Sequence, residues 1–188
     1  MTSNQHERST SDCDLGIVRG TAVTVEPSFD EAALRQAFGL FPSGVTAICG
    51  LRDGEPTGMV ASSFTTVSLE PALVSVCVAQ TSSTWPKLRE RPRLGVSVLA
   101  EDHGTVARSL SAKDIDRFAS VQWEATDHGA IFVYGSTLWL ECTIDDEVPA
   151  GDHIIVVLRI QSLKTYPEVA PMIFHGSGFR KLAPHSEL

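Results

Sequence analysis

Positive charge is scarce in this chain: 15 Lys and Arg stand against 23 Asp and Glu, for a formal net charge of −8. A protein of that sign repels phosphate backbones and anionic headgroups, so neither nucleic acid nor a membrane is an expected partner. No apolar run reaches the ~20 residues that a membrane span requires. Thr2 to Asp14 is polar and lacks the apolar segment of a signal peptide, which points to a cytoplasmic protein. Cysteine is sparse. Cys13, Cys49, Cys77 and Cys142 include no CxxC pair, and no histidine follows at zinc-finger distance, so no metal site is expected. Cys49, Cys77 and Cys142 lie in apolar strands and read as buried free thiols, whereas Cys13 falls in the polar N-terminal stretch. Neither GxGxxG nor GxxxxGK[ST] occurs, and regular β-α-β alternation is missing, which argues against a doubly wound sheet. A Ser-His-Asp or Cys-His arrangement for nucleophilic catalysis is also absent.

What is present is an ordinary globular composition. The 188 residues are 43% hydrophobic and 20% charged, enough for one domain with a sizeable core. Residues 1–27 read as a mobile polar tail, 28–183 as the folded domain and 184–188 as a short C-terminal tail. Thr21 to Val25 could add a strand. Ser28 and Glu31 have capping-box spacing, and the helix they open should bury Ala33, Leu34, Ala37 and Phe38 before Gly39 ends it.

The chain is organised around Thr57 to Val78. This stretch reads as two strands joined at Glu70-Pro71, and with Val45 to Leu51 it predicts three successive antiparallel strands. The connection Arg52-Asp-Gly-Glu-Pro56 is a hairpin signal. Between Ser62 and Ser68 five of the seven side chains are hydroxyls, able both to donate and to accept. They suit a planar heteroaromatic ring with polar edges and a phosphate tail. A half-exposed strand with its hydroxyls in water shows the same pattern.

After this comes Gln80-Thr-Ser-Ser-Thr-Trp-Pro-Lys87, where Thr84 can cap a short helix with Pro86 in its first turn. Its N-terminus, preceded by hydroxyls and carrying Lys87, could seat an anion, or Ser83 or Thr84 could simply cap. Arg93 to Leu99 predicts a strand, Ala100 to Gly104 opens a helix to about Leu110, and Asp114 to Phe118 reads as a short helix. Trp123 to Gly135 looks irregular. Ser136 to Ile144 predicts a strand, Asp145 to Asp152 an acidic turn, and His153 to Leu163 the longest apolar strand. Met172 to His175 closes the set. Six or seven strands in hairpin succession with a few short helices describe a mainly β, antiparallel small barrel with peripheral helices.

Several segments together resemble one family. They are Phe41-Pro-Ser-Gly-Val-Thr46, Gly58-Met-Val-Ala-Ser-Ser-Phe-Thr-Thr-Val-Ser-Leu-Glu-Pro71, Ser83-Thr84, Val96-Ser-Val-Leu99, Asp116-Arg-Phe118, Leu140-Glu-Cys142 and Gly151-Asp-His153. Their order and spacing are similar to the flavin reductase-like family with the FMN-binding split-barrel fold, over about Phe29 to Leu182. The resemblance implies a homodimer with FMN or FAD held near the subunit interface. It further implies hydride transfer from NADH or NADPH to that flavin, and delivery of reduced flavin to a partner flavin-dependent monooxygenase. It implies that Val60, Ala61, Ser62 and Ser63 meet the isoalloxazine edge and ribityl chain, and that Ser82, Ser83 and Thr84 meet the phosphate. Ser43 would line the nearby loop and His153 would stand at the nicotinamide side. Members often carry Thr where Val60 stands, Asn where Ser62 stands, and a second Pro where Ala72 stands. The same scaffold could instead hold flavin tightly for a substrate of its own, or bind it without catalysis.

Overall fold

A computed structural model describes residues 30–113 and 115–183. The expectations for the N-terminal tail, the strand at Thr21–Val25, Cys13, the cap at Ser28 and the last five residues lie outside these.

Helix α1 spans Glu31–Gly39 and is capped by Asp30, whose carboxylate accepts from the Ala33 amide at 2.7 Å. Its expected inward face is not inward: among the described residues none of the helix is buried, and Phe38 is 70% exposed. Strand β1 (Ser43–Gly44) precedes the hairpin of β2 (Thr46–Arg52) and β3 (Glu55–Ala61). Asp53 and Gly54 both have positive φ in the two-residue turn, as a type I′ hairpin requires.

The central stretch is three strands rather than two. After β3 the chain breaks at Ser62 to Phe64, then forms β4 (Thr65–Leu69) and β5 (Ala72–Ala79) around a cis Glu70–Pro71 bond. Helix α2 (Trp85–Leu88), β6 (Leu94–Val98), α3 (Gly104–Ser111), β7 (Trp123–Ala125), β8 (Ile131–Val133), β9 (Leu138–Ala150), β10 (His153–Thr165), β11 (Ile173–His175) and β12 (Gly178–Arg180) follow.

The main sheet has seven strands in the order β3-β2-β6-β9-β10-β5-β4, all paired antiparallel. The fold is therefore mainly β and antiparallel, but not a run of consecutive hairpins: β2 pairs with β6, β6 with β9 and β10 with β5. Among the described residues β3 and β4 are the two edges, and no ladder joins them. The sheet wraps one core containing Ile48, Val76, Leu88, Val96, Leu140 and Leu158. Its other face carries a second core in which Ala47 and Cys49 pack against Ala107 and Leu110 of α3 and Ile131 of β8. Because β2 is covered on both faces, its sequence is apolar almost throughout.

Three further expectations change. Residues 123–135 contain the β7–β8 hairpin, held by the Val133 amide donating to Ser97 Oγ at 3.0 Å and Leu51 N–H to the Gly129 carbonyl at 2.8 Å. The acidic segment Asp145 to Ala150 is strand, not turn, because its carboxylates have partners: Asp145 binds Arg159, and Glu147 binds Trp85 and Arg89. The Asp116-Arg-Phe118 segment is a turn, not a helix, since Asp116 Oδ1 accepts the Phe118 amide at 2.9 Å.

Candidate active site

Strand β3 and the break after it send the expected residues to different places. Val60 faces a cleft of about 540 Å³ that is also walled by Met59, Ala79, Ser83, Thr84 and Arg117. Ala61 points the other way: it is 8% exposed within the main core, and its carbonyl already accepts from Thr46 Oγ1 at 3.0 Å. Ser62 returns to the outer side, where it lines a smaller pocket of about 220 Å³ with Val60, Phe174 and Phe179. Ser63 does neither. Its hydroxyl accepts from the Cys77 amide at 2.9 Å and donates to the Cys77 carbonyl at 3.1 Å, fastening the β3–β4 break to β5.

Ser82, Ser83 and Thr84 all line the larger cleft, between β5 and α2. Ser82 Oγ accepts from the Thr84 and Trp85 amides at 3.3 and 3.1 Å. Two amides at the start of α2 are thus satisfied locally, and α2 is a single turn. The positive charge needed to seat an anion comes from elsewhere.

It comes from Arg117. Its Nε donates to the Ala112 carbonyl at 2.6 Å, and its Nη1 to the Gly58 carbonyl at 3.1 Å and Thr84 Oγ1 at 2.8 Å. Among the described residues Nη2 makes no hydrogen bond, so two of the five guanidinium donors remain for a ligand. Lys113 stands on the same cleft. A fork fixed by three bonds and open on one side is suited to a phosphate. Gly58 makes the approach possible: a Cβ there would stand 2.5 Å from Cys49 Sγ and 2.9 Å from the Phe118 ring. Sequence reading placed Arg117 only within a motif and gave it no role. The sequence offers one signal for it: Lys113 and Arg117 lie four positions apart in a chain that is acidic overall.

His153 and Ser43 do not line these clefts. His153 opens β10 opposite Ala79, which does line the larger cleft, so it stands one strand from the wall. Its Nδ1 lies 2.8 Å from Asp152 Oδ1, and that hydrogen bond holds the Asp152 carboxyl below its ordinary range. Ser43 pairs in β1 with Phe174, a wall of the apolar pocket.

Of the cysteines, Cys49 and Cys142 are buried, and desolvation pushes both thiols up to about 12. Cys77 is exposed, contrary to expectation, because at its position β5 turns a side chain away from the core. Trp85 is buried at 3% exposure in the main core, while Phe118 is both core and cleft wall. Among the described residues no group of three or more His, Cys, Asp or Glu is placed to hold a metal ion, and no helix is long and apolar enough to cross a membrane.

The clefts beside β3 bring together apolar side chains, hydroxyls and an oriented guanidinium, chemistry that could hold an aromatic ligand ending in phosphate. The chain belongs to the flavin reductase like domain family, which matches residues 38–183. It is 36% identical over 154 residues to an actinorhodin polyketide dimerase from Streptomyces coelicolor, covering 81% of this chain and 87% of that one. The reductase subunit of a flavin-dependent monooxygenase from Rhodococcus jostii is 30% identical over 167 residues, 89% of this chain and 86% of the relative. In structure the chain is similar to an NADH:FAD oxidoreductase of Streptomyces globisporus in complex with NAD and FAD fragments. That likeness has a TM-score of 0.81 and 36% identity, and covers 88% of this chain and all of the other.

Proposed function

We propose that this protein is an NAD(P)H:flavin oxidoreductase that reduces FMN or FAD and supplies the reduced flavin to a partner monooxygenase. The observation that carries this reading is the larger cleft, whose walls combine Val60 and Met59 with Ser83, Thr84 and Arg117. The residues fit a flavin: apolar surface for the ring, hydroxyls for the ribityl chain, and a guanidinium with free donors for the phosphate.

When bound, flavin accepts a hydride from the nicotinamide and stores its electrons; that chemistry is the cofactor's own. This chain's residues bind, orient and keep water out. Arg117 and Thr84 anchor the phosphate end, which sets how far the ring reaches along β3. Val60, Phe174 and Phe179 give an apolar surface beyond it where two flat rings can meet without water between them. Positioning is the main catalytic contribution, and the reaction requires no protein nucleophile. His153, one strand away, hydrogen-bonds the nicotinamide nucleotide or the flavin edge from the rim.

The protein works as a homodimer. The support is the apolar surface of α1 and the turn after it, where Phe38 and Phe41 are 70% and 76% exposed. A second copy covers them and brings the flavin site near the subunit boundary.

The likeness to a polyketide dimerase favours a second reading, in which flavin stays bound while an organic substrate reacts on the same subunit. Steady-state NADH and NADPH oxidation with and without added flavin separates the two. Stimulation by free FMN or FAD is expected. Loss of nicotinamide absorbance no faster than background would sink both enzyme readings. The His153→Ala variant is expected to raise the nicotinamide KM or slow flavin reduction in stopped flow, and unchanged reduction removes that role.

A further inference from the structure

Two cavities share no wall residue with the clefts beside β3. One, of about 330 Å³, is bordered by Tyr134, Ser136, Trp139, Lys164, Tyr166 and Val169, among others. The other, of about 200 Å³, has Glu124, Trp139 and Lys164 in common with it and adds Phe132 and Leu163. Trp139 is the fixed element between them. Its indole Nε1 donates to the Val133 carbonyl at 2.9 Å. Phe132 stacks on it with ring centroids 5.1 Å apart and planes 10° from parallel, and Tyr166 meets it edge-on at 5.4 Å. Such a wall is already shaped for a flat ring.

Two polar groups on these walls lack a partner. The Lys164 ammonium lies 5.3 Å from the Trp139 ring centroid and 5.1 Å from that of Tyr166, so a cation is held against two aromatic rings. Among the described residues it makes no ion pair. Ser136 is fully buried on the wall of the larger of the two cavities, and among the described residues its hydroxyl has no hydrogen-bond partner. A buried hydroxyl left unpaired costs stability, which points to a group that the chain does not itself supply. Two carboxylates stand nearby. Glu141 is engaged, its oxygens accepting from Thr126 and Ser162. Glu124 borders both cavities, but the charge set against the rings is that of Lys164.

We propose that these cavities form a binding site, separate from the clefts beside β3, for a small planar aromatic acid. Its ring lies against Trp139 and Tyr166, and its carboxylate accepts from the Lys164 ammonium and the Ser136 hydroxyl. The site goes beyond the flavin reductase reading and does not depend on it.

The test is isothermal titration of the full chain with benzoate, with cyclohexanecarboxylate and with benzylamine, each with and without excess FMN. Benzoate is expected to bind with a Kd below about 1 mM, and at least about fivefold more tightly than the other two. Lys164→Gln, at an exposed position, and Ser136→Ala should each weaken benzoate about fivefold or more. Either variant at unaltered affinity overturns the proposal. So does the absence of benzoate binding, as when a second copy of the chain covers the cavities. Equal binding of cyclohexanecarboxylate denies the ring its role, and tighter binding of benzylamine gives the cavity to a cation at Glu124; both overturn it. Binding that FMN abolishes belongs to the flavin cleft and has the same effect. Ser136→Ala should leave the melting temperature of the free protein unchanged or raised. A lower one would mean that the hydroxyl already has a partner within the chain, which again overturns the proposal.

Discussion

At the scale of single residues, Arg117 borders two clefts and is the proposed phosphate anchor. Its guanidinium is fixed by two carbonyls and a hydroxyl, so its free donors point one way. Charge-assisted bonds of this kind contribute roughly 1.5–3 kcal/mol each. Arg117→Gln is therefore expected to raise the flavin KM on the order of tenfold to a hundredfold with a smaller effect on kcat. Arg117→Lys should not restore it, because an ammonium cannot reproduce the fork. Steady-state titration of flavin at saturating NADH checks both. His103 is a different case. Its Nδ1 accepts the Ala100 amide at 3.2 Å, and burial lowers its pKa more than Asp102 raises it. The native state thus binds fewer protons than the unfolded chain. The stability from the neutral ring is full above the unfolded pKa, near ~6.5, and is lost as pH falls through the folded value. Melting temperature measured from pH 7.5 to 5.0 should fall more steeply for the unaltered protein than for His103→Asn. Parallel curves would show that His103 does not contribute.

At the scale of elements, one close approach decides what the sequence pattern leaves open. Gly95 in β6 lies against β8 so tightly that a Cβ would stand 2.0 Å from the Ile131 carbonyl oxygen. Backbone has to move to admit it. Gly95→Ala should cost more than the ~1–3 kcal/mol of ordinary overpacking, read as a lower urea midpoint. The hairpin of β7 and β8 reads as loop in sequence because Trp123 to Gly135 has no clean alternation. Its order comes from long-range bonds to Ser97 and Leu51 and from this contact with Gly95. Helix α1 shows the opposite error. Its apolar spacing is clear in the sequence, yet among the described residues nothing buries that face. The acidic segment 145–150 failed as a turn signal because carboxylates look solvent-bound until Arg159, Trp85 and Arg89 are seen beside them.

At the scale of the whole molecule, α1 and the turn after it expose an apolar surface. Phe38, Leu40 and Phe41 are each more than two-thirds exposed and adjacent in sequence. Contiguous apolar area of this kind marks an interaction surface. Sedimentation velocity should give twice the mass of one 20.3 kDa chain. The double variant Phe38→Asp/Phe41→Asp should shift it toward one chain and lower flavin turnover in parallel. A monomer in the unaltered protein would contradict this, and the helix would then need another cover.

By itself the sequence determined the strand-rich antiparallel class, the hydroxyl-rich segment after β3, the turn at Asp53-Gly54, and the family. These rest on local chemistry: alternation, φ preference, and short motifs in order. Only the tertiary structure decided which strands are neighbours, that Ala61 and Ser63 are spent on core and backbone, and that Arg117 reaches Thr84 from 33 positions away. Pairing and side-chain reach depend on how the sheet wraps. That wrapping is set by packing between distant segments, which no window of adjacent residues contains.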